Sequence, residues 1–297
     1  MFIRDPSTAR IGVEILPLEV GYLPEFFQKK AEVELHDTPD RRVQGLRQLK
    51  EMAKNDKNLA SLNFDDDFLL QYLRCRKFNV ARAFSQLKSF VNLRKKNPAL
   101  FTNYRFEQTV KSMRNKIVTL LPYRCQDGCA IFLIQLDNWD PEDFPPEEVK
   151  RMVVILLLQS LRDPMTQVNG FKAIFDVKSN PIRHIRYCTP QNMYLLYHGT
   201  QECSPGRFKQ IHVVNQSPTF KAAWLLIKPF LSDKLKKRIY FHSTPETLFN
   251  FFPRAVLPIH YGGELEDYDM TNWLKNVMQP EKLATIGGGV SPEKKAK

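Results

Sequence analysis

Two cysteines four positions apart, Cys125 and Cys129, bracket Gln126-Asp127-Gly128. The C-x-x-x-C spacing fits neither a redox nor a zinc motif, and Asp-Gly reads as a hairpin turn. All five cysteines are scattered and odd in number, which describes no disulfide framework, so reduced thiols are expected. The histidines, His36, His184, His198, His212, His242 and His260, show no pair at metal-ligand spacing; neither a metal site nor a cofactor is expected. Asp176, at a strand end, and His184, in the loop beyond, would be the acid–base pair of an enzyme. An Asp that caps its own loop is the preferred reading, because no convergent partners accompany the pair. G-x-S-x-G, G-x-x-x-x-G-K-[ST] and G-x-G-x-x-G after a strand are all missing, so the chain is not expected to be an enzyme. Basic residues are spread along the sequence without a recognition-helix motif, which argues against nucleic acid. Arg183, His184 and Arg186 form a small basic loop, read as solvated surface.

Lysine and arginine are also concentrated at the end of the stretch Ser217 to Ile239, SPTFKAAWLLIKPFLSDKLKKRI. Phe220, Trp224, Ile227, Leu231 and Leu235 make one helical stripe, with Lys221, Lys228 and Ser232 opposite. Leu225 sits among those lysines, and Ala222 and Leu226 widen the apolar surface. Pro229 predicts a kink. Lys234 and Arg238 fall side by side at a spacing of four. Such a pattern arises most often from a core helix with a solvated charged end. The alternative is a lid that closes over an apolar cavity and opens onto an anionic membrane.

The remaining elements follow in order. Leu23 to Leu35 is a short helix, and Thr38 caps the next with Pro39 at its first position. That helix carries Val43, Leu46, Leu49, Met52 and Ala53 inward. Asp65 to Arg76 packs through Phe68, Leu69, Tyr72 and Leu73, and Asn79 caps Val80 to Lys96. After Phe101 strands begin: Ile117–Tyr123 and Ala130–Leu136 joined by the Asp-Gly turn, then Phe171–Val177, Ile211–Asn215 and Ile239–His242. Helices intervene from Pro145 to Leu161 and from Pro190 to His198, so the class is α/β with a mostly parallel sheet buried on both faces. The chain of 297 residues, net charge +12, fits one large domain or two modest ones. Its longest aliphatic run, Met152 to Leu158, is far short of the ~20 residues that span a bilayer. No signal peptide is read at the start, and a cytoplasmic protein is expected.

FLLQYLRCRKFNVARAF (68–84), NGFKAIFDV (169–177), IHVVNQSPTFKAAWLLIKPFLSDKLKKRI (211–239) and LPIHYGGE (257–264) resemble four blocks of the CRAL-TRIO lipid-binding family, in its order and spacing. The resemblance covers roughly 38 to 266 and is closest to the branch of alpha-tocopherol transfer protein and cellular retinaldehyde-binding protein. It implies an amino-terminal extension (1–37), a helical subdomain (38–103), a lipid-binding domain (104–266) with a mobile lid helix, and a carboxy-terminal tail (267–297). It further implies an apolar ligand held by Ile134, Val153, Leu157, Phe171, Phe175, Ile182, Leu196, Phe208, Ile211, Phe220, Ala223 and Ile227. Val153 and Leu157 replace serines of the tocopherol carrier, which implies a drier pocket. A phosphatidylinositol bisphosphate headgroup would map onto Arg76, Arg207, Lys209, Lys234 and Arg238, with Arg207 and Lys209 exchanged in type. Together these imply a monomeric carrier that transfers a retinoid, carotenoid, tocopherol or similar lipid at phosphoinositide-containing membranes. The competing reading is an adaptor that holds a structural lipid and signals through a protein partner.

Overall fold

Three of the four amino-terminal helices begin where a side chain satisfies a free backbone N–H. The computed structural model describes residues 23–101, 106–178, 184, 186–187, 189–266 and 271–279. Helix α1 (Glu25–Leu35) ends on His36 in the left-handed region. Thr38 caps α2 (Pro39–Lys54), Asp65 caps α3 (Asp66–Cys75) and Asn79 caps α4 (Val80–Lys96), each accepting from the N–H three residues on. Phe68, Leu69, Tyr72 and Leu73 of α3 meet Ala83, Leu87 and Phe90 of α4 and Leu49 and Ala53 of α2 in one core. Val43, expected on the inner stripe of α2, is 70% exposed; Gly45 takes the inward place, where a Cβ would meet the Leu73 and Phe78 side chains at 3.3–3.4 Å and press them back by a few tenths of an ångström.

The second layer is a five-stranded sheet in the order β1 (Val118–Leu120), β2 (Ala130–Gln135), β3 (Phe171–Asp176), β4 (Phe208–Val214), β5 (Ile239–Phe241). β1 runs antiparallel to β2 through the Asp-Gly turn, and the other pairs are parallel. Strand β1 is shorter than its apolar run, and β4 starts three residues before Ile211. Alternation splits the sheet cleanly. Ala130, Phe132, Ile134, Phe171, Ala173 and Phe175 face α6 (Pro146–Ser160) and the helical core. Ile131, Leu133, Ile174 and Val214 face Leu248, Phe252, Val256 and Tyr261 on the other side.

Three helices have no counterpart in the periodicity reading: α5 (Phe106–Arg114), α7 (Pro164–Asn169) and α11 (Thr271–Val277). The last lies within the expected tail, yet Trp273 and Leu274 are buried against the core that includes α5's Val110 and Met113. Helix α7 binds the two layers. Met165 and Val168 pack on Phe27, Ala31 and Leu35 of α1. Arg74 of α3, 4% exposed, bonds Asp37 at 2.8 Å and Gln167 at 2.5 Å. A buried arginine requires such pairing, because an unmatched charge there costs several kcal/mol.

Helix α8 (Pro190–Tyr197) runs on into a π-helical turn, His198–Cys203. The 217–239 stretch is a broken helix and not one kinked rod. Ser217 caps α9 (Pro218–Ile227), Lys228–Phe230 is a 3₁₀ turn, and Ser232 caps α10 (Asp233–Lys236). Pro229 lacks an N–H and restricts the residue before it, so the α pattern stops there.

Candidate functional site: an apolar sheet face beside a basic cluster

Seven of the twelve side chains expected around an apolar ligand, Ile134, Val153, Leu157, Phe171, Phe175, Phe208 and Ile211, gather on the α6 side of the sheet. Parallel registry puts Ile134 beside Phe175, and Phe171 beside Phe208. Pairing shifts between Phe171 and Lys172, which leaves Lys209 as the extra residue of a bulge in β4. The bulge keeps both Phe208 and Ile211 on the apolar face although they are three residues apart. Phe132, Phe171 and Phe208 form an aromatic cluster with centroids 5.2–6.5 Å apart. Val153 and Leu157 of α6 join the same cluster. Leu157 and Phe171 are buried, whereas Ile134, Val153, Phe175, Phe208 and Ile211 are half-buried. Gly206 lets the chain pass close to Leu157 and Phe171. Phe220 on α9 is half-buried. Ile182 and the side chains of Leu196, Ala223 and Ile227 lie outside the described residues. Phe132 is a member of this cluster that the sequence reading did not single out, although its alternation with Ile134 carried the signal.

At the end of the sheet where β4 begins, the structure brings the five expected basic residues together. Arg76 caps α3, and the tight turn that follows holds Lys77 and Phe78 in the left-handed region. Its Nε donates to Gln86 Oε1 at 2.8 Å, Gln86 Nε2 donates to Ser204 O at 2.6 Å, and Arg76 Nη2 lies 3.8 Å from Glu202. Arg207 Nη1 donates to Val168 O at the end of α7. Its carbonyl accepts Phe171 N at 2.9 Å, an approach that Gly170 (φ 81°) permits because a Cβ there would strike that carbonyl. Lys209 lies 3.8 Å from Glu34 of α1. Arg238 Nη1 donates to Phe208 O, so a basic side chain is bonded to the backbone of a residue on the apolar face. Lys234 is exposed on α10.

These charges act on one another. Desolvation and then the repulsion of Arg238 lower the pKa of Arg207, against the pull of Cys75 and Glu34. Desolvation and then Arg207 lower that of Lys209. Burial pushes the Cys75 thiol up, while Arg76, Arg207 and Lys234 all pull it down. Cations that destabilise each other in a half-buried place gain most from an anion with several oxygens, and arginine supplies bidentate donors for it.

The outer surface of the broken helix is apolar where water would be expected. Leu225 is 68% exposed between exposed Lys221 and Lys228, and Phe241 of β5, 44% exposed, meets Trp224 edge-on at 5.1 Å. Tyr194 of α8 is exposed as well. Among the described residues no helix is long and apolar enough to cross a membrane.

The imagined acid–base pair is not formed. Asp176 accepts from Lys178 N, Asn215 Nδ2 and Tyr261 OH at 2.8–2.9 Å, which ties its strand to the LPIHYGGE turn. His184 instead bonds Trp139 O at 2.8 Å. The fold does make one histidine pair that spacing hid: His212 and His242, thirty residues apart, are bonded at 2.9 Å under the sheet.

Comparison with known proteins agrees with the geometry. Residues 114–263 match the CRAL/TRIO domain and residues 24–89 the CRAL/TRIO N-terminal domain. A mouse protein described as alpha-tocopherol transfer protein-like is 31% identical over 276 residues, covering 90% of this chain and 80% of that one. Clavesin-1 of Pongo abelii is 32% identical over 267 residues, covering 89% and 75%. Superposition on the crystal structure of Sfh5 gives a TM-score of 0.48 at 12% identity, over 84% of this chain and 91% of that one. The two domain matches and the 31–32% identity to these two relatives over most of their length establish that the chain belongs to the CRAL/TRIO family.

Proposed function

We propose that the protein is an intracellular carrier for one small apolar lipid, of the retinoid, carotenoid or tocopherol kind, which it exchanges at phosphoinositide-containing membranes. The observation that carries the reading is the cluster of Arg76, Arg207, Lys209, Lys234 and Arg238 beside an apolar sheet face, with Arg238 and Phe208 joining the two through a hydrogen bond. The ligand lies against Ile134, Phe175, Phe208, Ile211 and Phe220, covered by α9. Burying about 500 Å² of a hydrocarbon-like molecule at ~25 cal/mol per Å² yields on the order of 10 kcal/mol gross, so spontaneous loss to water is rare. Release therefore needs a membrane. Leu225 and Phe241 enter the interface, Lys221 and Lys228 meet anionic headgroups, and a bisphosphate occupying the basic cluster favours the open lid. A ligand biases the lid only by its difference in affinity for the two states, and the headgroup supplies that difference. The names of the relatives, which include a tocopherol transfer protein-like protein, support the carrier class.

Mass spectrometry of an organic extract of the purified protein tests the first half of the reading. One apolar lipid at about one per chain is the expected result; an extract without any such lipid from protein that also binds none of these classes would overturn it. Vesicle assays separate carrier from adaptor, since an adaptor retains its lipid.

A further inference from the structure

The hairpin that joins β1 to β2 holds a ligand set that its sequence spacing does not reveal. Cys125, Asp127 and Cys129 place two sulfurs and a carboxylate oxygen within 4.8 Å of one another. Both thiols are buried, at 0% and 2% exposure. The Asp127 side chain is 43% exposed and leaves an approach from solvent. Gly128 makes the arrangement possible. At φ 82° its N–H donates to Cys125 O at 2.8 Å, and Cys125 N donates to Cys129 O at 3.1 Å, so five residues close on themselves. A fourth ligand atom is at hand, because the main-chain carbonyl oxygen of Asn169 lies 3.2 Å from Cys129 Sγ. Asn169 is fully buried, its Oδ1 accepts Lys30 Nζ at 2.8 Å, and its Nδ2 beside Gly128 has no hydrogen-bond partner.

Charge and softness select the ligand. Two thiolates and a carboxylate carry three negative charges; a divalent ion leaves one, which faces two ammonium groups, Lys172 Nζ 3.1 Å from Asp127 Oδ2 and Lys30 Nζ 3.1 Å from the Asp127 carbonyl. Arg124 is already matched by Asp163. Binding releases two thiol protons for each dication, with no electron transferred, so the net charge of this buried place does not change. Lys172 on Oδ2 leaves Oδ1, 2.5 Å from Cys125 Sγ, facing the sulfurs. An outer partner that orients a ligating carboxylate in this way is the usual arrangement. Tetrahedral zinc, about 2.3 Å from sulfur and about 2.0 Å from oxygen, sets its ligand atoms about 3.3–3.8 Å apart, about 3.5 Å for a sulfur–oxygen pair. The three side-chain ligand atoms lie within 4.8 Å of one another, and the Cys125–Asp127 contact at 2.5 Å and the Cys129–Asn169 contact at 3.2 Å both lengthen on binding. Sulfur ligands favour zinc over magnesium or calcium. We propose that Cys125, Asp127 and Cys129, with the Asn169 carbonyl, form a structural zinc site that pins the β1–β2 hairpin to the end of α7, next to the carbonyl that holds Arg207.

The test uses the full chain, reduced and freed of metal. Titrated Co²⁺ is expected to give a thiolate-to-cobalt charge-transfer band saturating at one ion per chain, which Zn²⁺ displaces. Cys125→Ser with Cys129→Ser abolishes the band, whereas Cys203→Ser leaves it intact. Lys172→Met keeps every ligand and serves where the double variant does not fold; it weakens Co²⁺ binding about 10- to 100-fold. The proposal is overturned by the lack of a thiolate band, by a band that survives the double variant, or by an unchanged affinity in Lys172→Met. Recovery of Cys125 and Cys129 as a disulfide from protein prepared without reductant would overturn it too.

Discussion

Leu225→Asp separates a membrane-docking face from a core helix. Leu225 is 68% exposed, so its side chain adds little to packing and has most of its surface left to bury elsewhere. Complete burial of a leucine is worth about 1.5–3 kcal/mol. Two thirds of that, about 1–2 kcal/mol, is what entry into a bilayer interface gains, or about 5- to 30-fold in the vesicle partition constant. Aspartate removes the gain and adds charge repulsion on anionic vesicles, so the measured loss lies at or beyond the upper figure. Leu225→Ala gives the smaller loss. The assay is sedimentation with liposomes containing phosphoinositide, beside fluorescence titration of an apolar ligand in solution. Ligand affinity is expected to stay within a few-fold of wild type. Equal losses in both titrations would refute the reasoning, because the residue would then pack inward.

Other perturbations probe the cavity, the core and the histidine pair. Val153→Ser with Leu157→Ser should shift competition binding towards hydroxylated ligands; an unchanged ranking would place those side chains away from the ligand. Asp37→Ala leaves the buried Arg74 and the half-exposed Arg42 without their shared partner and should cost about 3–5 kcal/mol in denaturant unfolding. His242 contacts Thr247 Oγ1 through Nδ1 at 2.7 Å and His212 Nδ1 through Nε2 at 2.9 Å, and His212 Nε2 lies 3.3 Å from Gln210 Oε1. Burial, then His242 and Lys172, hold the His212 pKa down to about 3 from 6.5. The unfolded chain therefore binds the extra proton first, and stability falls as pH drops from about 6.5 towards 3. Between pH 7 and 5 the loss is about 2 kcal/mol from this group, and His212→Gln should flatten that part of the stability–pH curve.

The fold was legible because caps and alternation are local. Thr38, Asp65 and Asn79 each mark a helix start, and the Asp-Gly turn between two apolar runs marks the antiparallel pair. Helices α5 and α7 were missed because one is short and mostly polar and the other has six residues held by tertiary contacts. Ile134, Phe171 and Phe175 were named by the family resemblance, and the alternation of β2 and β3 sets all three on one face. Phe208 and Ile211 needed the bulge at Lys209, which pairing and not periodicity reveals. The basic residues come from three distant segments, so their meeting is a property of the topology. Only the family resemblance named them in advance. The partners that restrain them, Gln86, Glu34 and the Val168 carbonyl, carry no signal of their own in the sequence.

The central claim is that headgroup capture drives ligand exchange. Fluorescence-detected transfer of a bound apolar ligand to liposomes, with and without a bisphosphorylated phosphoinositide, tests it most directly. Lys234→Ala with Arg238→Ala removes two charges, each worth about 1 kcal/mol of attraction near the surface, so transfer should slow about tenfold or more. Ligand affinity in solution should barely change. Wild-type transfer should be faster with the phosphoinositide and should fall as salt rises, since exposed charges are screened beyond about 8 Å at physiological ionic strength. A wild-type rate indifferent to both headgroup and salt would contradict the account and reduce the basic cluster to a solvated surface.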